Sequence, residues 1–287
     1  MDRKMTKSTI LKSQKMGSEI GVDYHQRSDI TEVIGKIPYR MAFAGGWIDQ
    51  PYISQYDPHP PGSMVVVAIE PTTRFMDRCG MGTSTRNVAN EIWNGLLPDR
   101  NPVDLVKELY AAENKGQATP SGSQDMAGII YPGINRLDYD FNFEGGYFPV
   151  NVLSNTDPEV AFWLENHIYL IPVVQRAPGY NPIGEKNLDP AWISRLGQTG
   201  KDCFDAILAK DPRALGESMN ECMVCWENIL PNTVRHHTIQ TDLVELLSHY
   251  QKNYYGGMYS GSGGGYIYVV SDTPVPGGFQ VKVRLGE

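Results

Sequence analysis

The chain has 287 residues, enough for one large or two medium domains with a substantial core. Its 41% hydrophobic and 20% charged content is that of a globular protein and excludes intrinsic disorder. A net charge of −8 argues against wholesale binding to nucleic-acid phosphate or to anionic membrane, and no apolar run is long enough to span a bilayer. The N-terminus has no apolar core behind its charges, and the four cysteines read as reduced thiols, so the expected location is the cytoplasm.

Taken in chain order, residues 1–35 are polar without periodicity and read as an arm. Pro38 to Gly46 reads as a short strand ending in a glycine turn, and Met64 to Ile69 as a buried strand. Thr83 to Leu97 and Val103 to Asn114 fit helices, the second behind an Asn-Pro entry. Gln124 to Ile130 fits another helix start. A strand-rich stretch runs from Asn135 to Val150, and Ile168 to Val174 reads as one more buried strand. Beyond a Pro/Gly-rich segment, Ala191 to Lys210, Arg213 to Leu230 and Thr238 to Lys252 have amphipathic helical spacing. A glycine loop, the strand Tyr266 to Val270 and a last strand, Gln280 to Leu285, close the chain. Strands and helices interleave without strict βαβ alternation, which predicts an α+β fold.

The chemistry gathers in glycine loops and placed acids. Ala44-Gly-Gly-Trp-Ile-Asp49 sets a tight turn beside an acid. Cys79-Gly-Met-Gly-Thr-Ser-Thr85 places glycines and hydroxyls before a helix, whose free N–H groups and positive dipole end suit a phosphate. Thr83 and Ser84 equally fit helix caps, and the loop lacks the lysine of a Walker A motif. Glu113 ends one helix and Asp125 starts the next, so the Pro/Ser/Gly turn between them can fold both acids toward one site. One such carboxylate suits Mg²⁺ on a phosphate and the other a hydroxyl proton. Gly257 to Gly265 is a third glycine loop, held on a strand. Cys222-x-x-Cys225 lacks further ligands at zinc spacing and reads as a pair of buried helical cysteines.

Together these loops resemble a known family. Arg40-Met-Ala-Phe-Ala-Gly-Gly-Trp-Ile-Asp49 resembles the first motif of GHMP-superfamily small-molecule kinases, in the form found in fucokinases and heptose 7-phosphate kinases. Gly80-Met-Gly-Thr-Ser-Thr85 resembles their phosphate-binding motif, and Ser260-Gly-Ser-Gly-Gly-Gly265 their third motif. Ala112-Glu-Asn, Pro120-x-Gly and Asp125 are similar in spacing to the galactokinase segment carrying the magnesium ligand and catalytic aspartate. The motifs stand in the family's order and span Ile37 to Asp272.

The resemblance implies a ribosomal-S5-like N-terminal domain over 36–176 and a ferredoxin-like C-terminal domain over 177–287, with the active site between them. It implies ATP and Mg²⁺ as cofactors and a sugar or sugar phosphate as acceptor. Asp125 would be the catalytic base, with Arg40 as its electrostatic partner; Glu113 and Ser84 would hold Mg²⁺. Gly80, Gly82, Thr83 and Ser84 would cradle ATP phosphates. Asp49, with Gly45 and Gly46, would face the acceptor, and Gly261, Gly263 and Gly264 would shape the floor beside both substrates. The rival readings are a nucleotide- or sugar-binding relative without turnover, and an RNA-binding module, which the charge disfavours. No nucleic-acid or membrane partner is expected, and a homodimer remains open. The sequence departs from the family between Asp49 and Gly80, where the connection has about half the usual length, which puts the adenine contacts in question.

Overall fold

Four helices of this chain begin with the same two-residue instruction, an Asn or Asp followed by proline. In the computed structural model, which describes residues 36–173, 179–236 and 241–286, these four pairs each open a helix, whereas Asp57-Pro58 and Asn181-Pro182 do not. The side chains of Asn101, Asp157, Asp189 and Asp211 accept backbone N–H groups of the first turn, and the proline behind each occupies a position whose N–H has no helical partner anyway. Each cap is worth about 1 kcal/mol. The arm expected over 1–35 lies outside the described residues.

The first sheet has the order β1 (Tyr39–Ala42), β2 (Gly62–Ile69), β3 (Ile134–Tyr139) and β4 (Asn151–Asn155), every pair antiparallel. Strand β2 is buried along its whole length, which explains its unbroken apolar run in place of alternation. Helix α4 (Gln124–Ile130) packs on β1 and β2, and α6 (Pro190–Leu208) packs on β2. The approach of α6 is close because two of its residues lack side chains. A Cβ on Gly197 would stand 2.7 Å from the Gly62 Cα, and one on Gly200 would stand 2.0 Å from the Ser63 carbonyl oxygen.

The second sheet has the order β5 (Ile168–Pro172), β7 (Tyr266–Val270) and β6 (Gly256–Tyr259), again antiparallel. Helix α7 (Pro212–Ile229) joins α6 to β6, and α8 (Thr241–Asn253) covers β6. The remaining helices are α1 (Pro51–Ser54), α2 (Thr83–Ile92), α3 (Pro102–Glu113) and α5 (Pro158–His167). Apolar side chains of both sheets merge into one core. Cys222 and Cys225 are buried and free on α7, as read from the sequence. Among the described residues no helix is long and apolar enough to cross a membrane.

Three elements differ from expectation. Helix α2 ends at Ile92 rather than Leu97, because Asn94 and Gly95 turn left-handed (φ 50° and 78°). The strand-rich stretch ends at Tyr139 and resumes only at Asn151, in an edge strand that is largely exposed. The last strand is not one. Its tail makes single bridges from Phe279 to Leu170 in the second sheet and from Val283 to Ile69 in the first. Backbone bonds from Glu70 N to Lys282 O (2.9 Å) and from Arg284 N to Ala68 O (2.9 Å) extend the second contact.

Candidate active site

A cleft of about 450 Å³ is walled by β1, the turn after it, the loop before α2, the α3–α4 connection and the loop after β6. Helix α2, which opens on this cleft, is not capped like the Asx-Pro helices. Its N-cap is Gly82, with a left-handed backbone (φ 69°), no side-chain cap bond follows, and its first turn carries no acid. The first-turn amides therefore remain for something in the cleft. The Thr83 hydroxyl donates to the Met76 carbonyl (3.3 Å), whereas Ser84 is exposed on the cleft wall.

The second and third glycine loops lock together through a serine hydroxyl and a close approach of their backbones. The Ser260 hydroxyl donates to the Cys79 carbonyl, and a Cβ on Gly80 would lie 2.4 Å from the Ser260 carbonyl oxygen. Gly261 lines the cleft beside this contact. Gly263 and Gly264 stand behind it and fix the loop, Gly263 through its N–H to Thr233 O (3.0 Å) and Gly264 through its N–H to Gly261 O (3.4 Å).

Arg40 joins the loop to an acid. From β1 its Nε donates to Asp125 Oδ1 at 2.8 Å, its Nη2 pairs with the same oxygen, and its Nη1 donates to the Gly80 carbonyl. Burial opposes the guanidinium charge, but Asp125 overcomes that and holds the Arg40 pKa above its ordinary value. Asp125 sits in the first turn of α4 without capping it and is fixed in direction by this pairing.

Glu113, the last residue of α3, stands beside it. The Thr85 hydroxyl donates to Asp125 Oδ2 at 3.4 Å and lies near enough to Glu113 to pull its pKa down. Glu113 Oε2 is buried with no hydrogen-bond partner. Burial pushes the Glu113 pKa up to about 7, with the Asp125 charge adding and Thr85 and Arg40 pulling it down.

Asp49 is fully buried and lies one layer behind the cleft wall rather than in it. A Cβ on Gly122 would fall 1.7 Å from Asp49 Oδ2, so that glycine lets the α3–α4 turn close over the acid. Neither Asp49 oxygen has a partner of good hydrogen-bond geometry, although the Gln124 backbone N–H lies near enough to pull its pKa down. Burial and the Asp125 charge win, and the pKa rises to about 7.

The structure thus brings Arg40, Asp125, Glu113, Gly80, Gly82, Thr83, Ser84, Gly46 and Gly261 to one cleft. Gly45 does not line it; its N–H donates to Cys222 Sγ (3.3 Å). Sequence reasoning passed over Thr85, Trp47, Gln50, Tyr52, Arg78, Asn181 and Trp226. Trp47, Gln50 and Tyr52 lie in or beside the first motif and could have been found there. Trp226 arrives from α7, where its indole N–H donates to Gly46 O (3.0 Å), and no local signal announces it.

The same architecture occurs in solved structures. Lactococcus lactis galactokinase complexed with galactose superposes with a TM-score of 0.56 at 12% identity, over 92% of this chain and 91% of that one. Methanococcus jannaschii mevalonate kinase gives 0.54 at 12% identity, over 82% and 89%. The D-glycero-D-manno-heptose 1-phosphate kinase from Bacteriodes thetaiotaomicron gives 0.53 at 14% identity, over 87% and 96%. These are kinases of the GHMP group, and the chain has their fold, as its motifs led one to expect. No family model matches the chain, and no curated protein matches it in sequence.

Proposed function

We propose that this protein is an ATP-dependent kinase that phosphorylates a hydroxyl of a sugar or sugar phosphate. One observation carries the reading: Arg40 ties the Asp125 carboxylate to the Gly80 carbonyl of a phosphate-type loop, in front of a helix N-terminus that no side chain caps. A structural acid needs no such coupling to a glycine loop. In the proposed step Asp125 takes the acceptor hydroxyl proton as the acceptor oxygen bonds to the γ-phosphorus. The bond from that phosphorus to the β-phosphate oxygen breaks, and ADP leaves.

The donor set fits magnesium. A hard Mg²⁺ takes one or two protein oxygens and completes its shell with phosphate and water, and Glu113 Oε2 and the Ser84 hydroxyl are available for it. The ion would supply charge neutralisation on the phosphates. Gly80, Gly82 and the first-turn amides at Thr83 and Ser84 would hold the phosphates. Trp47, Trp226 and Tyr52 give the other end of the cleft aromatic walls with amides from Gln50 and Asn181, which suits a ring with an apolar face and polar edges. Asp49 lies buried behind that end and does not line it. In domain terms the reading corresponds to an S5-like half and a ferredoxin-like half, working in the cytoplasm, with the expected boundary at 176/177 crossed by β5, which pairs with β7 in the second sheet.

The test is ADP release with Mg·ATP across a panel of free and phosphorylated hexoses and heptoses. Turnover on a panel member supports the reading; nucleotide binding with turnover on none favours a sensor. Glu113→Gln should cut activity steeply and regain part of it at high Mg²⁺. A magnesium dependence equal to wild type would remove Glu113 from the metal site.

A further inference from the structure

The aromatic end of the cleft holds more polar groups than the protein satisfies. Gln50 lines it, is 8% exposed and makes no side-chain hydrogen bond with a described residue. The Tyr52 hydroxyl and Gln124 Oε1 are buried without a hydrogen-bond partner, and both residues line the cleft. The Cβ that Gly122 lacks would fall 2.6 Å from Gln50 Nε2 and 1.7 Å from Asp49 Oδ2, and Gln124 follows two residues later with its backbone N–H near Asp49. One turn thus gathers these groups. Burial, with the Asp49 charge adding to it, holds the Tyr52 pKa above its ordinary value, so the phenol keeps its proton. Trp47, which also lines the cleft, has φ 83°, a backbone that strains a bulky L-residue and that gathers at functional sites.

Unpaired polar groups in a wall cost free energy, so a ligand that satisfies them recovers it on binding. Their chemistry points to the ligand. An amide, an acceptor oxygen and a protonated phenol are all neutral, and hydroxyls, which both donate and accept, can satisfy the three together. A phosphate only accepts, and here it would meet Gln124 Oε1 with the Asp49 carboxyl behind the wall. The described cations that line the cleft, Arg40 and Arg78, stand on β1 and in the turn before Gly80. Lys186, whose Nζ is 4.6 Å from the centre of the Tyr52 ring, does not line it.

We propose that Gln50, Tyr52 and Gln124 read the hydroxyls of the acceptor, and that the acceptor they select is an unphosphorylated sugar ring. The inference rests on the kinase reading and narrows it from a sugar or sugar phosphate to a free sugar. Two variants of nearly unchanged shape test it. Tyr52→Phe removes one oxygen and keeps the ring beneath Lys186; because that hydroxyl has no partner in the protein, Tm should not fall. Gln50→Met removes the amide at similar length. The panel is D-glucose, D-mannose, D-galactose and L-fucose, with the 1- and 6-phosphates of the first three. Each is assayed with Mg·ATP for ADP release, and for binding by calorimetry.

The best free sugar should exceed its phosphates in kcat/KM by about tenfold or more, because a site built for hydroxyls leaves its groups unpaired against a phosphate. In both variants KM for that sugar should rise about threefold to tenfold, as expected for one neutral hydrogen bond, while KM for Mg·ATP keeps its wild-type value. A phosphate turned over better than its parent sugar overturns the inference and leaves the kinase reading standing. Folded variants whose sugar KM stays within about twofold of wild type do the same. A free sugar that binds through Tyr52 and Gln50 without ADP release supports the inference and overturns the kinase reading. A panel of which no free sugar binds or reacts overturns the inference itself.

Discussion

Asp138 and Asp49 are both buried aspartates within the first half of the fold, and their surroundings are opposite. Asp138, on β3, accepts from the Ser63 hydroxyl (2.5 Å), from Arg136 Nε (2.9 Å) and Nη2 (3.1 Å), and from Asn151 Nδ2 (3.1 Å). Asp49, at the cleft, has no partner of good geometry on either oxygen, and Glu113 has one oxygen in the same position. Burying an ionised carboxylate without donors costs several kcal/mol, so folds satisfy their acids wherever the role is structural. This fold does so at Asp138. The difference separates acids that hold the sheet together from acids that the resting cleft leaves unsatisfied, and such sites are where function is sought.

The largest expected effect falls on the one cleft acid that is paired. Asp125→Asn should lower turnover by about 10²–10⁴ while Mg·ATP still binds, since the nucleotide is held by the loop and Glu113. Steady-state ADP release together with calorimetric nucleotide affinity measures both. Wild-type turnover in this variant would move the centre of the mechanism elsewhere. On the structural side, Asp138→Ala strands the donors of three residues and should cost about 2–3 kcal/mol of unfolding free energy in urea, with the kcat of folded enzyme kept. A kinetic defect without loss of stability would erase the contrast.

The smallest effect is in pH. The Asp49 carboxyl is raised from 3.8 to about 7, so the folded protein keeps a proton that the unfolded chain gives up across that interval. Stability from this group is full at the acid end and falls as pH rises toward 7. Asp49→Asn should therefore flatten the fall of Tm between pH 4 and 7, in part only, because Glu113 falls in the same direction from 4.5 to about 7. An unchanged slope would mean that Asp49 is solvated rather than buried.

What the sequence disclosed was local. The helix Gln124–Ile130 and the strand Tyr266–Val270 were read at their observed bounds, because turn residues flank an apolar run in each. Asn101-Pro102 announced α3 in the same way. The motif loops placed Arg40, Asp125 and Glu113 in one cleft, since their order and spacing carry the chemistry. What escaped was long-range. Nothing near Asp49 says that Gly122 will close over it, and nothing near Trp226 says that it will reach Gly46, 180 residues away in the chain. The edge strand β4 escaped for another reason. Its sequence Asn-Val-Leu-Ser-Asn lies on an exposed rim, where alternation need not follow burial.

The C-terminal tail has a mechanical consequence. Phe279 is hydrogen-bonded to Leu170 in one sheet, and four residues later Val283 is bridged to Ile69 in the other. A span that short has almost no slack, so it works as a strap across the two halves of the jaw. Any motion that spreads the sheets must first peel one end of the strap away. The two sheets are thereby tied together by a segment that carries none of the chemistry.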